Sequence, residues 1–249
     1  MRRSVLFAFA LLTFAAPAAA QTPPLVEAAI ATMESRAEPG QRWSFLRTVT
    51  VGEEYFVAEF DPSRPAEDAW RLEAPASEDE LSRELRAAFR GMRDETESDL
   101  ELLYGGDPED DRDLRDQVTG LALTSEDDLG AVFAFIPDGS LLGPGDGGDP
   151  PAFVRHLSGE LTVEKAAPSI HALRVFAAAP FKPVPVARIT EMEILTRFAE
   201  VEPGGPFATA SIYVHAAGSA LFRDVDQTML MEHSGFERVA VAADPQLAD

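Results

Sequence analysis

The residues able to carry chemistry are four histidines, His156, His171, His215 and His233, and a large excess of carboxylates. The histidines form neither H-E-x-x-H nor an i, i+4 pair, so the helical zinc arrangement is absent. His171 and His215 fall in runs that read as neighbouring strands, but a shared metal would lack a carboxylate partner. The run Asp107-Pro108-Glu109-Asp110-Asp111-Arg112-Asp113 places acids at positions 1, 3 and 5 of a calcium-type loop. Arg112 then stands where an EF-hand needs glycine and Val118 where it needs a bidentate glutamate, so an EF-hand is excluded. Asp107 as a helix cap with Pro108 at the first helical position fits better. Calcium outside an EF-hand would draw on this run or on Asp146 and Asp149. Glu191 and Glu193 share a strand face and resemble a glycosidase pair, yet coincidental pairs are expected in a chain with 43 acidic residues. No G-x-S-x-G elbow surrounds Ser140, Ser158 or Ser219. Cysteine is absent, so thiol catalysis is excluded. The expectation is no catalytic residue, no metal and no cofactor.

The chain opens MRRSVLFAFALLTFAAPAAA before Gln21. Arg2 and Arg3, the apolar run Val5 to Ala16 and the small residues Ala18 and Ala20 read as a secretory signal peptide over 1–20. That run is shorter than a bilayer helix requires, and no later segment is long and apolar enough to span. The expected location is the periplasm, or beyond it by secretion, with the mature protein starting at Gln21. Loss of Arg2 and Arg3 takes the formal charge from −22 to −24. Such a charge disfavours nucleic acid and anionic lipid surfaces, because phosphate binding needs dense Lys and Arg. Without disulfides, stability must come from an ordinary core, for which residues 21–249 suffice as one domain.

The elements follow from periodicity. A helix begins at Thr22-Pro23, with Leu25, Ala28, Ala29 and Met33 on one side, and ends near Ala37. WSFLRTVTVGEEYFVAEF reads as a hairpin turning at Gly52, and DAWRLE as a further strand. Ser77 and Glu80 have capping-box spacing ahead of a stripe of Leu81, Leu85, Ala88, Phe89 and Met92. Residues 94–128 read as an acidic helical insert, with fragments around Leu100 to Tyr104 and Leu114 to Val118. AVFAFIP (131–137) reads as a strand and the Gly/Pro-rich 138–151 as a flexible loop. From Leu157 the character is β: GELTVEK, SIHALRVFAAA, ARITEMEILTRFAEV, FATASIYVHAA and SALFRDV, with a bulge suggested at Gly218. The short connections favour an antiparallel meander.

Within 188–198, Thr190, Met192, Ile194, Thr196 and Phe198 share one strand face. The run 170–178 is apolar on both faces, more than a sheet wet on one side requires. The expected fold is therefore α+β: an antiparallel curved sheet, an open half-barrel, with helices on its concave face and an apolar cavity between. Met192, Ile194 and Phe198 are expected to line that cavity under the helix carrying Leu85 and Phe89. These five residues are the candidate ligand-binding set.

The order of elements, with Phe60-Asp61-Pro62-Ser63-Arg64-Pro65 and then Trp70-Arg71-Leu72, resembles the periplasmic lipoprotein carriers and their half-barrel superfamily. It is also similar to uncharacterised exported bacterial proteins that share a DPxRP…W stretch. The first resemblance implies acyl chains held between curved sheet and helices without a cofactor, and a lipid or acylated protein as partner. The acidic 94–128 segment departs from that pattern. Three functions stay open. The preferred one is a non-enzymatic periplasmic binding or carrier-like protein. The others are an envelope interaction or structural protein with a self-filled core, and a hydrolase whose site the sequence does not identify.

Overall fold

The structure is a computed structural model and describes residues 22–37, 41–94, 115, 118–137, 153–221 and 223–239. The signal segment, most of 94–117 and the loop 138–151 therefore lie outside the described residues.

Helix α1 spans Pro24–Arg36. Pro24 occupies the first turn, where its missing N–H costs nothing. The start is thus one residue later than the sequence suggests, and no side chain caps it. Its buried face is Val26, Ala29 and Ile30, with Leu25 and Met33 packed beside it; Ala28 is exposed. The i, i+3, i+4 set 26/29/30 is a tighter apolar stripe than the one expected through Ala28.

Strands β1 (Arg42–Val51) and β2 (Glu54–Phe60) form the expected hairpin. Gly52 has φ +61° while Glu53 is not in the positive region, the pattern of a turn with glycine at its first central position. The stretch Asp61 to Pro65 makes a tight corner into β3 (Trp70–Ala74). Asp61 accepts hydrogen bonds from the Ser63 amide (3.0 Å) and hydroxyl (2.6 Å) and pairs with Arg64 at 3.0 Å. The Ser63 hydroxyl, foremost, holds the Asp61 carboxyl below the usual carboxylate range. This motif is built as a corner.

Ser77 accepts from the Asp79 amide and caps a short 3-10 turn over Glu78–Glu80. Leu81 is extended and buried, so the chain breaks before helix α2 (Arg83–Asp94). Ser82 is the cap of α2: its carbonyl accepts from Arg86 N (2.9 Å) and its hydroxyl from Leu85 N (3.4 Å). The capping box expected at Ser77 and Glu80 is corrected accordingly. Arg86 ties the two turns together through the carbonyls of Glu78, Asp79 and Leu81. Ser82→Ala should lower stability by about 1 kcal/mol, the usual N-cap loss. Ser77→Ala should cost less, because its turn is a single one; urea midpoints of the two variants check the order.

The remaining strands are β4 (Val118–Glu126), β5 (Gly130–Pro137), β6 (Leu157–Glu164), β7 (Ser169–Ala177), β8 (Phe181–Val184), β9 (Ala187–Glu200), β10 (Phe207–Ala220) and β11 (Arg223–Val239). Residues 118–126 are thus strand, where the sequence reading placed a helical insert. All described pairings are antiparallel, in the order β3-β2-β1-β11-β10-β9-β7-β6-β5-β4, with β8 also on β9. The result is the expected α+β fold, an open, curved, eleven-stranded sheet with two helices. The ladder slips between Ala217 and Gly218, the expected bulge. A Cβ on Gly218 would stand 2.1 Å from the Arg188 carbonyl oxygen. Three strands are not foreseen by the sequence: β4, within the expected insert; β8, which falls between two expected strands; and β11, since SALFRDV is not a strand but the end of β10, the turn at Leu221 and the start of β11. The 17-residue β11 inserts between β1 and β10 and joins the N-terminal hairpin to the meander.

Candidate functional site: an apolar strip between two cores

The apolar interior is divided. One core gathers Val26, Ala29 and Ile30 of α1 with Phe133, Leu161, Val175 and their neighbours on β5 to β7. The other gathers Leu85, Phe89 and Met92 of α2 with Phe45, Phe56, Phe60 and Trp70 on β1 to β3. Phe89 meets Phe56 edge-on at 5.6 Å, which seats α2. Helix α1 lies on β6 and β7, and α2 on β1 and β2.

Register shows that both helices sit on the same face of the sheet. Paired residues in adjacent strands project the same way. One row runs Leu173, Thr196, Ile212, Met231, Val49, Phe56; the next runs Val175, Ile194, Val214, Met229, Val51. The first row is buried at both ends, at Leu173 and at Val49 and Phe56. The second is buried at Val175. Their middle members on β9, β10 and β11 are only half-buried. A helix about 10 Å wide covers roughly two strands spaced about 4.8 Å apart. The three central strands therefore fall between the helices and carry an apolar strip of Ile194, Ile212 and Val214, interrupted by Thr196 and bounded by Met229 and Met231, which pack against the α2 core.

The five residues singled out in the sequence do not come together. Met192 and Phe198 pack against the α1 core, while Leu85 and Phe89 are buried in the α2 core. Ile194 lies in the strip between them. Leu85 also lines a cleft of about 350 Å³ near the β1–β2 turn, together with Glu53, Glu54, Glu80 and Leu81. Tyr55, Ala74, Pro75 and Ser82 complete its lining, which mixes three glutamates with apolar side chains.

At the edge of the strip is a polar feature the sequence reading missed. Arg47 and His233 are paired across β1 and β11 and are both buried. Arg47 Nε donates to His233 Nε2 at 2.9 Å, and the His233 Nδ1–H donates to the Thr209 carbonyl at 2.9 Å. The ring is thereby held neutral with its proton on Nδ1. Burial, then the Arg47 charge, pushes the His233 pKa down to about 3. The Arg47 guanidinium stacks over Trp70, 4.6 Å from its centroid. Alternation alone could have shown that Arg47 shares a face with Phe45 and Val49; its burial depends on the fold.

The other candidate groups do not assemble. Strand β9 lies between β7 and β10, so His171 and His215 are not on neighbouring strands. Glu193 is engaged by Arg174 at 2.8 Å, which Glu160 also contacts at 3.1 Å. The Glu193 hydrogen bond is the main reason the Arg174 pKa is raised. Glu191 faces His215 at 3.5 Å instead, so the two glutamates do not form a catalytic pair. Among the described residues no group of three or more His, Asp or Glu is placed to hold a metal. The Asp107–Asp113 run and Asp146 and Asp149 lie outside the described residues.

Fold and strip define an α+β protein with an open, helix-covered antiparallel sheet. No helix among the described residues is long and apolar enough to cross a membrane, which says nothing of a β-barrel. No family model matches the chain, and no curated protein does. Among solved structures, a LolA superfamily protein from Nitrosomonas europaea aligns over 87% of this chain and 94% of its own. That likeness has 7% identity and a TM-score of 0.37, a weak resemblance of fold only. An isomerase-inactive variant of GphF DH1 aligns over 86% of this chain and 81% of its own, with 12% identity and a TM-score of 0.15.

Proposed function

We propose that the protein is an exported, non-enzymatic binding or carrier-like module that takes an acyl chain of a lipid or acylated protein on the strip between its two cores. One observation supports this reading above the rest. The inward rows are buried under helices at their ends and half-exposed at their centre, where a linear apolar ligand could complete the interior. Ile194, Val214 and Met229 would form the floor. Met192 and Phe198 would flank it on the α1 side, and the core held by Leu85 and Phe89 would bound it on the other.

Each buried methylene contributes about 0.8 kcal/mol, so a chain of about 12 carbons offers on the order of 10 kcal/mol before the cost of association. With an association cost of at least about 4 kcal/mol, a Kd of tens of micromolar or weaker is expected. Ile194→Glu should weaken binding of a fluorescent fatty acid at least about tenfold while circular dichroism stays native, because a half-exposed glutamate keeps part of its hydration. If the wild type binds no fatty acid or lipopeptide up to about 1 mM, the reading fails. If Ile194→Glu unfolds the protein, the strip is a packed core and the structural-protein reading takes its place. Export has its own check: the intact mass of protein recovered from a periplasm should correspond to a chain starting at Gln21.

A further inference from the structure

The two turns at one end of the longest strands are built from the wrong residues for turns. Val184 pairs with Ala187, leaving Pro185 and Val186 to connect β8 to β9. Ala220 pairs with Arg223, so the β10–β11 turn begins at Leu221. Tight hairpin turns favour Gly, Asn and Asp, which tolerate positive φ. Here Leu221 has φ +49°, the one non-glycine residue in that region among those described. The Leu221 amide donates to the Val186 carbonyl at 3.1 Å, so the turns stand side by side. Val184, Val186 and Leu221 are 50, 60 and 68% exposed. They bring together three of the eight exposed large apolar side chains among the described residues, while the others are spread over β1, β2 and the β4–β5 region. Folding alone gives no reason to hold a leucine in a disfavoured conformation in order to expose it.

Charge at this end departs from the rest of the chain. No acid occurs in 181–190 or in 206–221, in a sequence with 43 of them. Lys182, Arg188 and Arg223 flank the two turns in sequence and are exposed; the nearest acid, Asp224, is exposed beside Arg223 and lies opposite Ser219, in the same row as Arg188. Exposed aliphatic side chains flanked by Lys and Arg match the interface of a bilayer with anionic headgroups, where apolar groups insert and cations meet lipid phosphate. The acidic remainder of the molecule would be repelled by the same surface, which confines contact to this end.

We propose that this tip, formed by Val184, Val186 and Leu221 and flanked in sequence by Lys182, Arg188 and Arg223, docks the protein on an anionic lipid bilayer. The inference does not rest on acyl binding by the strip. Its test reads vesicle association, so the two readings fail separately.

The probe is co-sedimentation of residues 21–249 with vesicles of phosphatidylcholine containing about 30% phosphatidylglycerol, against phosphatidylcholine alone, at low and high salt. The wild type should bind the anionic vesicles and release with salt. Val186→Asp should reduce partitioning at least about tenfold, through lost apolar contact and added repulsion. Arg188→Ser and Arg223→Ser should each cost about fivefold on anionic vesicles only. Leu221→Asn separates docking from folding. Asparagine tolerates positive φ, so the urea midpoint should hold or rise while vesicle binding falls. The proposal is overturned if the wild type ignores both vesicles, or if Val186→Asp and Leu221→Asn bind as the wild type does. It is equally overturned if sedimentation without lipid shows self-association that these variants abolish, since the tip would then serve a second copy of the chain.

Discussion

Stability should fall as pH drops from about 6.5 towards 3, and His233→Gln should flatten that fall. In the folded protein His233 is buried and neutral between Arg47 and the Thr209 carbonyl, with its pKa near 3. In the unfolded chain a histidine titrates near about 6.5. Below that pH the unfolded state binds a proton that the folded state refuses, so linkage favours unfolding. The contribution is fully present above about 6.5 and gone below about 3. Its slope is at most about 1.4 kcal/mol per pH unit and its total at most about 5 kcal/mol. Near pH 5 the expected loss is about 2 kcal/mol. Glutamine can accept from Arg47 and donate to Thr209, but it does not titrate. Urea midpoints of wild type and His233→Gln, taken between pH 7 and 4.5, should therefore diverge. Asp61, whose folded pKa is also depressed, adds acid sensitivity only at and below the ordinary carboxylate range. Parallel profiles would mean that His233 is protonated in the fold and that its contact with Arg47 is not maintained.

Gly159→Val should be the most damaging single change in the α1 core. Gly159 on β6 pairs with Phe135 of β5 and Val175 of β7. The Phe135 ring lies across the glycine, and a Cβ there would meet ring carbons at 2.2 to 2.4 Å. Phe135 is only 3% exposed. A valine would force the ring off its rotamer or out of the core. Losing a buried phenylalanine costs about 3–5 kcal/mol, and the strain of overpacking adds to it. Against the 5–15 kcal/mol typical of whole domains, such a loss brings the protein close to unfolding. Because the obstacle is a side chain, shrinking it should relieve the clash. Gly159→Ala with Phe135→Leu should cost less than the two single changes added together, a coupling expected of residues in contact. Strict additivity would show that the ring has another place to go.

Both effects concern long-range neighbours, and these are where sequence reasoning stopped. The hairpin at Gly52, the stripe from Leu81 to Met92, strands β6, β7, β9 and β10 and the bulge at Gly218 were legible, because each rests on periodicity or on the demands of a turn. The start of α2 was misplaced because Ser77 and Ser82 both precede acids and helix formers. Only the burial of extended Leu81 decides which serine caps the long helix. Strand β11 was missed because DQTMLMEHSGFERV mixes polar and apolar positions without clean alternation. Its inward apolar residues are Met229 and Met231 and, past a register shift against β1, Phe236, so they follow no single alternation.

By itself, then, the sequence determined the fold class, the acidic character, the absence of thiol chemistry and the shared face of Met192, Ile194 and Phe198. Period-two alternation specifies which side of a strand a residue takes. It does not specify which strand lies beside it or which helix lies above it. The tertiary structure decided that α1, not α2, sits beside Met192 and Phe198, and that β11 closes the gap between hairpin and meander. It also decided that His233 is buried against Arg47 and that the centre of the sheet falls between two helices too narrow to cover it. The physical reason is common to all four. Strand pairing and helix docking are settled by summed burial between segments up to about 190 residues apart, as in the pairing of Arg47 with His233, and no local pattern carries that sum.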